Sequence, residues 1–230
     1  MMFRDEADIL KRCLSHWEQL GATNFYFCDN GSLDNSGSIA IQYADHFITD
    51  LRNNFPQAEI VNELIQRAHR DRCDWIFPID ADEFIQLPPN FKTLPDWLSS
   101  YPGNAPAYGN LQWLNVTQGD EGIYKSWHDP HRKVFGRFDK RWRVSIGNHL
   151  IHNANPTLDN KGAYYLHYHI RGYEHFRRKT INYMEAFVQL PGLNHPYGKD
   201  FYSWKQRGEE FIREKYDDMI KLAKSLHHEV

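Results

Sequence analysis

Three carboxylates fall within four residues at Asp80-Ala81-Asp82-Glu83, directly after the apolar run Trp75-Ile76-Phe77-Pro78-Ile79. Like charges this close oppose one another's ionisation unless a cation joins them. Magnesium and manganese favour hard oxygen ligands and complete their shells with substrate phosphates, so the segment predicts a site for Mn2+ or Mg2+ beside a phosphate-bearing substrate. Ala81 is small enough to let a nucleotide approach. An acidic surface turn is the bland alternative; a place at the carboxyl end of a strand favours the site.

Further groups could complete such a site. Asp29-Asn30-Gly31-Ser32 closes the apolar stretch Asn24 to Cys28, and its side chains could accept hydrogen bonds from a base or ribose, although Asp, Asn and Gly also make plain turns. Arg4-Asp5-Glu6 follows a short strand at Met1 to Phe3, where acidic residues equally suit the N-terminus of the next helix. His167-Tyr168-His169 lies in a strand-like run, so both imidazoles point to one face and either suits a mixed carboxylate–imidazole manganese site. His149 and His152 are weaker candidates. Lys133, Arg137 and Arg171 are basic residues set among apolar ones, and any of them could neutralise a diphosphate. The run Arg177-Arg178-Lys179 reads as a solvated helix face.

The elements that position these groups alternate in the first half of the chain. Apolar residues at Ile9, Cys13, Leu14, Trp17 and Leu20 predict a helix over 8–20, ended by Gly21. Strands are expected at 24–28, 46–48 and 75–79, with helices at 36–43 and 57–69. Strand–helix–strand repeats of this size predict an α/β fold with a mainly parallel central sheet flanked by helices and ligands at the carboxyl ends of its strands. Pro78 cannot donate to a central ladder, which marks a loosening of pairing just before the acidic turn. Further on, strands are expected at 108–116, 132–138 and 164–170, helices at 174–189 and 202–226, and a loop from Pro191 to Asp200.

Composition bounds the possibilities. An apolar share of 41% and a charged share of 25% are ordinary for a globular protein. A net charge of -3 lacks the basic footprint of a nucleic-acid binder. Three widely spaced cysteines without a Cys-x-x-Cys pair suit a reducing compartment. No apolar run reaches the roughly 18 residues that cross a bilayer. The early charges of Arg4, Asp5 and Glu6 argue against a signal peptide. A cytoplasmic protein without a transmembrane segment is expected; peripheral membrane contact stays open.

The order of these motifs resembles family 2-like glycosyltransferases of the GT-A fold, and more narrowly the branch related to glycosyltransferase family 92. The resemblance rests on the acidic step after the first strand, Asp29-Asn30-Gly31-Ser32, Asp80-Ala81-Asp82-Glu83-Phe84, Lys133 to Arg137, Gly147-Asn148-His149, and the segment His167 to Lys179. It covers residues 1–180. It implies a GT-A-like domain over 1–180, with a nucleotide-binding half at 1–87, an acceptor half at 88–180, and a C-terminal helical extension at 181–230. It implies a nucleotide-sugar donor, a UDP-sugar in preference, and a glycan or other hydroxyl acceptor. Arg4, Glu6, Asp29 and Asn30 would lie toward the nucleoside, Asp80 at ribose and metal, Asp82 and His167 at the metal, and Lys133 and Arg171 near the diphosphate. The chain departs from the family pattern in having Arg4-Asp5-Glu6 for Lys-Asn-Glu, and in Gln118 to Gly122, where the acceptor loop is expected. An inverting transferase needs a carboxylate to take the acceptor's proton, and Asp120 and Glu121 are the candidates. A metal-dependent phosphoesterase or nucleotidyltransferase could use the same carboxylates, and a non-catalytic carbohydrate-binding module could use the aromatic residues.

Overall fold

Ile9, Leu10, Cys13, Leu14 and Trp17 form the buried face of helix α1 (Ala7–Gln19) in a computed structural model that describes residues 1–52, 56–127, 130–188 and 203–227. Gly21 follows with φ 95°, the left-handed conformation that lets glycine end a helix. The chain forms two compact units. The larger comprises Met1–Leu51, Gln57–Trp113 and Pro130–Leu166; the smaller contains Leu114–Asp129 and His167–Val230.

The larger unit begins with a three-stranded parallel sheet in the order β1 (Met2–Phe3), β2 (Tyr26–Asp29), β3 (His46–Thr49). Helices α1, α2 (Ser36–Ala40) and α3 (Gln57–Arg70) connect or follow these strands. The second sheet runs β4 (Glu83–Gln86), β10 (Tyr164–Arg171), β5 (Ala107–Gly119). There β7 (Arg132–Arg137) pairs antiparallel with β5, Tyr108 opposite Gly136 and Leu111 opposite Lys133. A short helix, α4 (Leu94–Ser99), is capped at Asp96 N by Thr93 Oγ1, and a two-stranded ribbon joins β8 (Arg143–Val144) to β9 (Ile151–His152).

The fold is therefore α/β with mixed pairing: β1–β3 run parallel, while β6 and β7 pair antiparallel with β5, where a mainly parallel sheet was expected. The expected strand over 75–79 is an extended segment carrying one bridge, Ile76 to Gly136, and the regular strand starts at Glu83 instead. Pro78 accounts for this, since a ladder cannot continue through a residue without an N–H.

In the smaller unit the end of β5 turns back into β6 (Gly122–Ser126), Val116 opposite Lys125. Helices α5 (Tyr173–Val188) and α6 (Glu209–Ser225) pack through Met184, Phe211 and Ile212, with Phe176 and Trp204 against them. The boundary expected at 180 falls inside α5, and β5 and β10 each begin in one unit and end in the other. The expected loop Pro191 to Asp200 lies outside the described residues. The final helix was expected from 202; Gly208 (φ 57°) separates α6 from the helical residues 203–207 before it. No helix among the described residues is long and apolar enough to cross a membrane.

Candidate functional site

The carboxyl ends of β1 and β2 lie side by side, with Phe3 opposite Asp29 and Asn30 N donating to Phe3 O at 2.9 Å. The acidic groups there hold the loop that follows. Asp29 Oδ1 accepts from Ser32 N (2.8 Å), and Asp5, itself at φ 55°, accepts from Leu33 N (2.7 Å). Gly37 lies against Asp29, where a Cβ would come within 2.7 Å of Asp29 Oδ2 and the carboxylate would have to shift. The first turn of α1 is capped from a distance, Ala7 N donating to Asp34 Oδ2 (3.0 Å), while Glu6 makes no side-chain cap. Glu6 N instead donates to Ser36 Oγ (2.8 Å), Asn30 Nδ2 donates to Asp50 O (2.6 Å), and Arg4 Nε lies 3.8 Å from Asp5.

Across the Ile76–Gly136 bridge, β7 brings Lys133 to the acidic segment. Its side chain is fully buried, with Nζ 2.5 Å from Asp80 Oδ2 and 3.2 Å from Glu83 Oε1. Glu83 Oε2 also accepts from Asp80 N (2.9 Å), closing the turn. Burial pushes the Glu83 carboxyl up to about 8; the Lys133 ammonium works against this and the Asp80 and Asp82 charges add to it. Burial alone would lower Lys133, and the two carboxylates outweigh it and hold the ammonium above its ordinary range. Helix α1 covers the segment, Trp17 Nε1 donating to Glu83 O at 3.2 Å. The cation that three crowded carboxylates require is thus, for Asp80 and Glu83, the chain's own lysine. Lys133 was expected to face a diphosphate; its ammonium is instead committed to this interior pair of carboxylates.

Asp82 is buried (2% exposed), and the Asp80 side chain is about a third open. Among the described residues no group of three or more His, Cys, Asp and Glu side chains is preassembled to hold a metal. Two carboxylates two residues apart still fit a magnesium or manganese ion whose remaining ligands come from phosphate and water, the usual arrangement for these ions.

A second arc of groups adjoins Asp80. Gln57, the first residue of α3 and buried, donates from Nε2 to Asp80 Oδ1 (3.3 Å) and accepts from Gly147 N (2.7 Å) at Oε1. Gly147 (φ 74°) and Asn148 (φ 60°) are consecutive left-handed residues. His149 follows; its Nδ1 donates to Arg132 O at 2.9 Å, and its ring packs against those of His131 (4.8 Å) and Trp113 (5.4 Å). Sequence reasoning did not single out Gln57, and no pattern marks a buried glutamine at a helix start. The Gly-x-His step was visible, but its tie to Asp80 was not.

In the smaller unit, His167 and His169 share one face of β10 with rings 5.3 Å apart. His167 Nδ1 donates to Asn115 Oδ1 (2.8 Å), which leaves the ring lone pair on Nε2, the form a metal-ligating imidazole needs. Arg171 donates from Nη1 to Tyr168 O (3.1 Å). Asp120 and Glu121 form the tip of the β5–β6 hairpin. Glu121 is exposed and paired with Lys224 of α6, and the Asp120 charge lies near Tyr216. The structure gives Glu121, one of this expected pair of proton acceptors, a role in fastening the hairpin to α6.

A cleft of about 810 Å3 opens in the larger unit at the amino-terminal ends of the strands, lined by Phe25, Trp75, Leu98, Tyr101 and Arg137 among others; the acidic segment 80–83 does not line it. No family model matches the chain, and no curated protein matches it.

Proposed function

We propose that the chain is a metal-dependent glycosyltransferase that moves a sugar from a nucleotide-sugar donor, a UDP-sugar in preference, to a hydroxyl of a glycan or other acceptor, with inversion at the anomeric carbon. The observation that carries this reading is the acidic segment 80–83, braced by buried Lys133, in the same unit as the paired carboxyl ends of β1 and β2. The α/β architecture is compatible with a GT-A arrangement, in which ligands bind at such strand ends.

In this reading Asp80 and Asp82 hold the divalent metal, which when bound supplies charge stabilisation to the departing diphosphate. Lys133 and Glu83 set the position of Asp80, through the ion pair and through the bond from Asp80 N to Glu83 Oε2. Asp29 and Asp5 shape the loop 30–34 on the nucleoside side by accepting its amides.

Product analysis tests the reading. Release of a nucleoside mono- or diphosphate from a nucleotide sugar is expected with Mn2+, and Asp82→Ala should abolish it. Release of inorganic phosphate or pyrophosphate would favour a phosphoesterase or nucleotidyltransferase using the same carboxylates.

A further inference from the structure

We infer that His149 is the base that takes the proton from the acceptor hydroxyl in the proposed transfer. The inference rests on that reading and replaces Asp120 and Glu121 in this role. Three features of the larger unit lead to it.

The first is the tautomer. A carbonyl oxygen can only accept, so the contact with Arg132 O puts the His149 proton on Nδ1 and the lone pair on Nε2. The second is the backbone. Two successive left-handed residues, one of them the non-glycine Asn148, hold the imidazole where it is, and a Cβ on Gly147 would come within 2.4 Å of Nε2. At Asn148, the non-glycine of the two, this left-handed conformation costs about 1–3 kcal/mol and persists where the surroundings enforce it. Asn148 is also fully buried with neither amide atom hydrogen-bonded, an unsatisfied group that tight packing alone does not explain. The third is the link to the acidic segment: Gln57 ties Gly147 to Asp80, and Arg132, whose carbonyl orients the ring, precedes Lys133.

The charged and titratable groups facing the imidazole are Lys133, His131 and Asp80. Burial, with Lys133 and His131, keeps the ring neutral near pH 7, while the Arg132 carbonyl and Asp80 oppose that tendency. In the step, Nε2 takes the hydroxyl proton, and the oxygen's electron pair forms the new bond to the anomeric carbon. The bond from that carbon to the diphosphate oxygen breaks, and its pair leaves on the diphosphate. Half-burial leaves the ring reachable from solvent for the return of the proton.

The test uses the full chain with Mn2+ and UDP-glucose, UDP-galactose and UDP-N-acetylglucosamine in turn. UDP release is measured with water as acceptor, and UDP affinity is measured by calorimetry. For His149→Gln we expect turnover to fall about 100-fold or more, the usual loss on removing a general base, with UDP affinity unchanged. The decline of wild-type turnover on the acid side should flatten in the variant. Gly147→Ala, which displaces the ring without removing it, should lower turnover in the same direction. Turnover within about threefold of wild type in His149→Gln, with the acid limb intact, overturns the assignment and leaves the transferase reading standing. If His149→Gln loses UDP affinity or cooperative unfolding, the wild-type profile decides: turnover independent of pH between about 5 and 7 overturns the assignment. A wild-type chain that, with Mn2+ present, binds none of UDP, GDP and CMP and releases none of them from its sugar donors sinks the transferase reading itself, and the assignment with it.

Discussion

The ammonium of Lys133 lies 2.5 Å from Asp80 Oδ2, inside the protein, with Glu83 on its other side at 3.2 Å. Removing one partner of a buried ion pair leaves the other charge without compensation, at a cost of about 3–5 kcal/mol. Lys133→Met should therefore lower the stability of the larger unit by an amount in that range, read from urea unfolding. A change below about 1 kcal/mol would mean that the pair is not formed in solution.

Gly136 sits where β7 meets both β5 and Ile76. A Cβ there would come within 2.3 Å of Ala107 O and 2.7 Å of Tyr108 Cα, both backbone atoms that cannot swing aside. Gly136→Ala should destabilise by roughly 1–3 kcal/mol, the common cost of overpacking. Gly103→Ala is the comparison without packing: Gly103, unlike Gly136, has positive φ (75°), and a Cβ there meets nothing within 4 Å. A smaller loss at 136 than at 103, compared by thermal unfolding, would contradict the packing account.

His16 packs on Phe84 and its Nε2 donates to Ile85 O at 2.9 Å, anchoring α1 to β4. Burial, with help from Arg12, holds its pKa below the ordinary 6.5, against the pull of the Ile85 carbonyl. The unfolded chain then binds a proton before the folded one does, so the His16 contribution is present in full above pH 6.5 and is lost as pH falls through the folded value. The urea midpoint should drop between about pH 7 and pH 5.5, and His16→Gln should show a smaller drop. Equal drops in both proteins would remove His16 as the cause.

Much of this was legible in the sequence where one rule dominated. The period of Ile9, Cys13, Leu14 and Trp17 could only be a helix with one buried face, and Gly21 ended it as expected. The carboxyl-end positions of Asp29 and of Glu6 followed from short apolar runs. The segment 75–79 misled because its apolar residues are buried without forming a ladder, and β4 was missed because it begins with the buried acid Glu83. Lys133 was read as a phosphate clamp because a basic residue in an apolar run suggests function; only the bridge from Ile76 to Gly136 brings Asp80 to it. Asp120 and Glu121 sit at a hairpin tip, and Lys224, the partner of Glu121 on α6, is about a hundred residues away, beyond any local pattern.

The proposed function stands or falls most directly on nucleotide binding at the acidic segment. Calorimetric titration with UDP, GDP and CMP, each with and without Mn2+, should give saturable binding of one nucleotide, UDP in preference, that is strengthened by Mn2+. Asp82→Ala should lose that metal-dependent gain while keeping its cooperative unfolding. Binding of none of the three with Mn2+ present, or binding that Asp82→Ala leaves unchanged, would contradict the account.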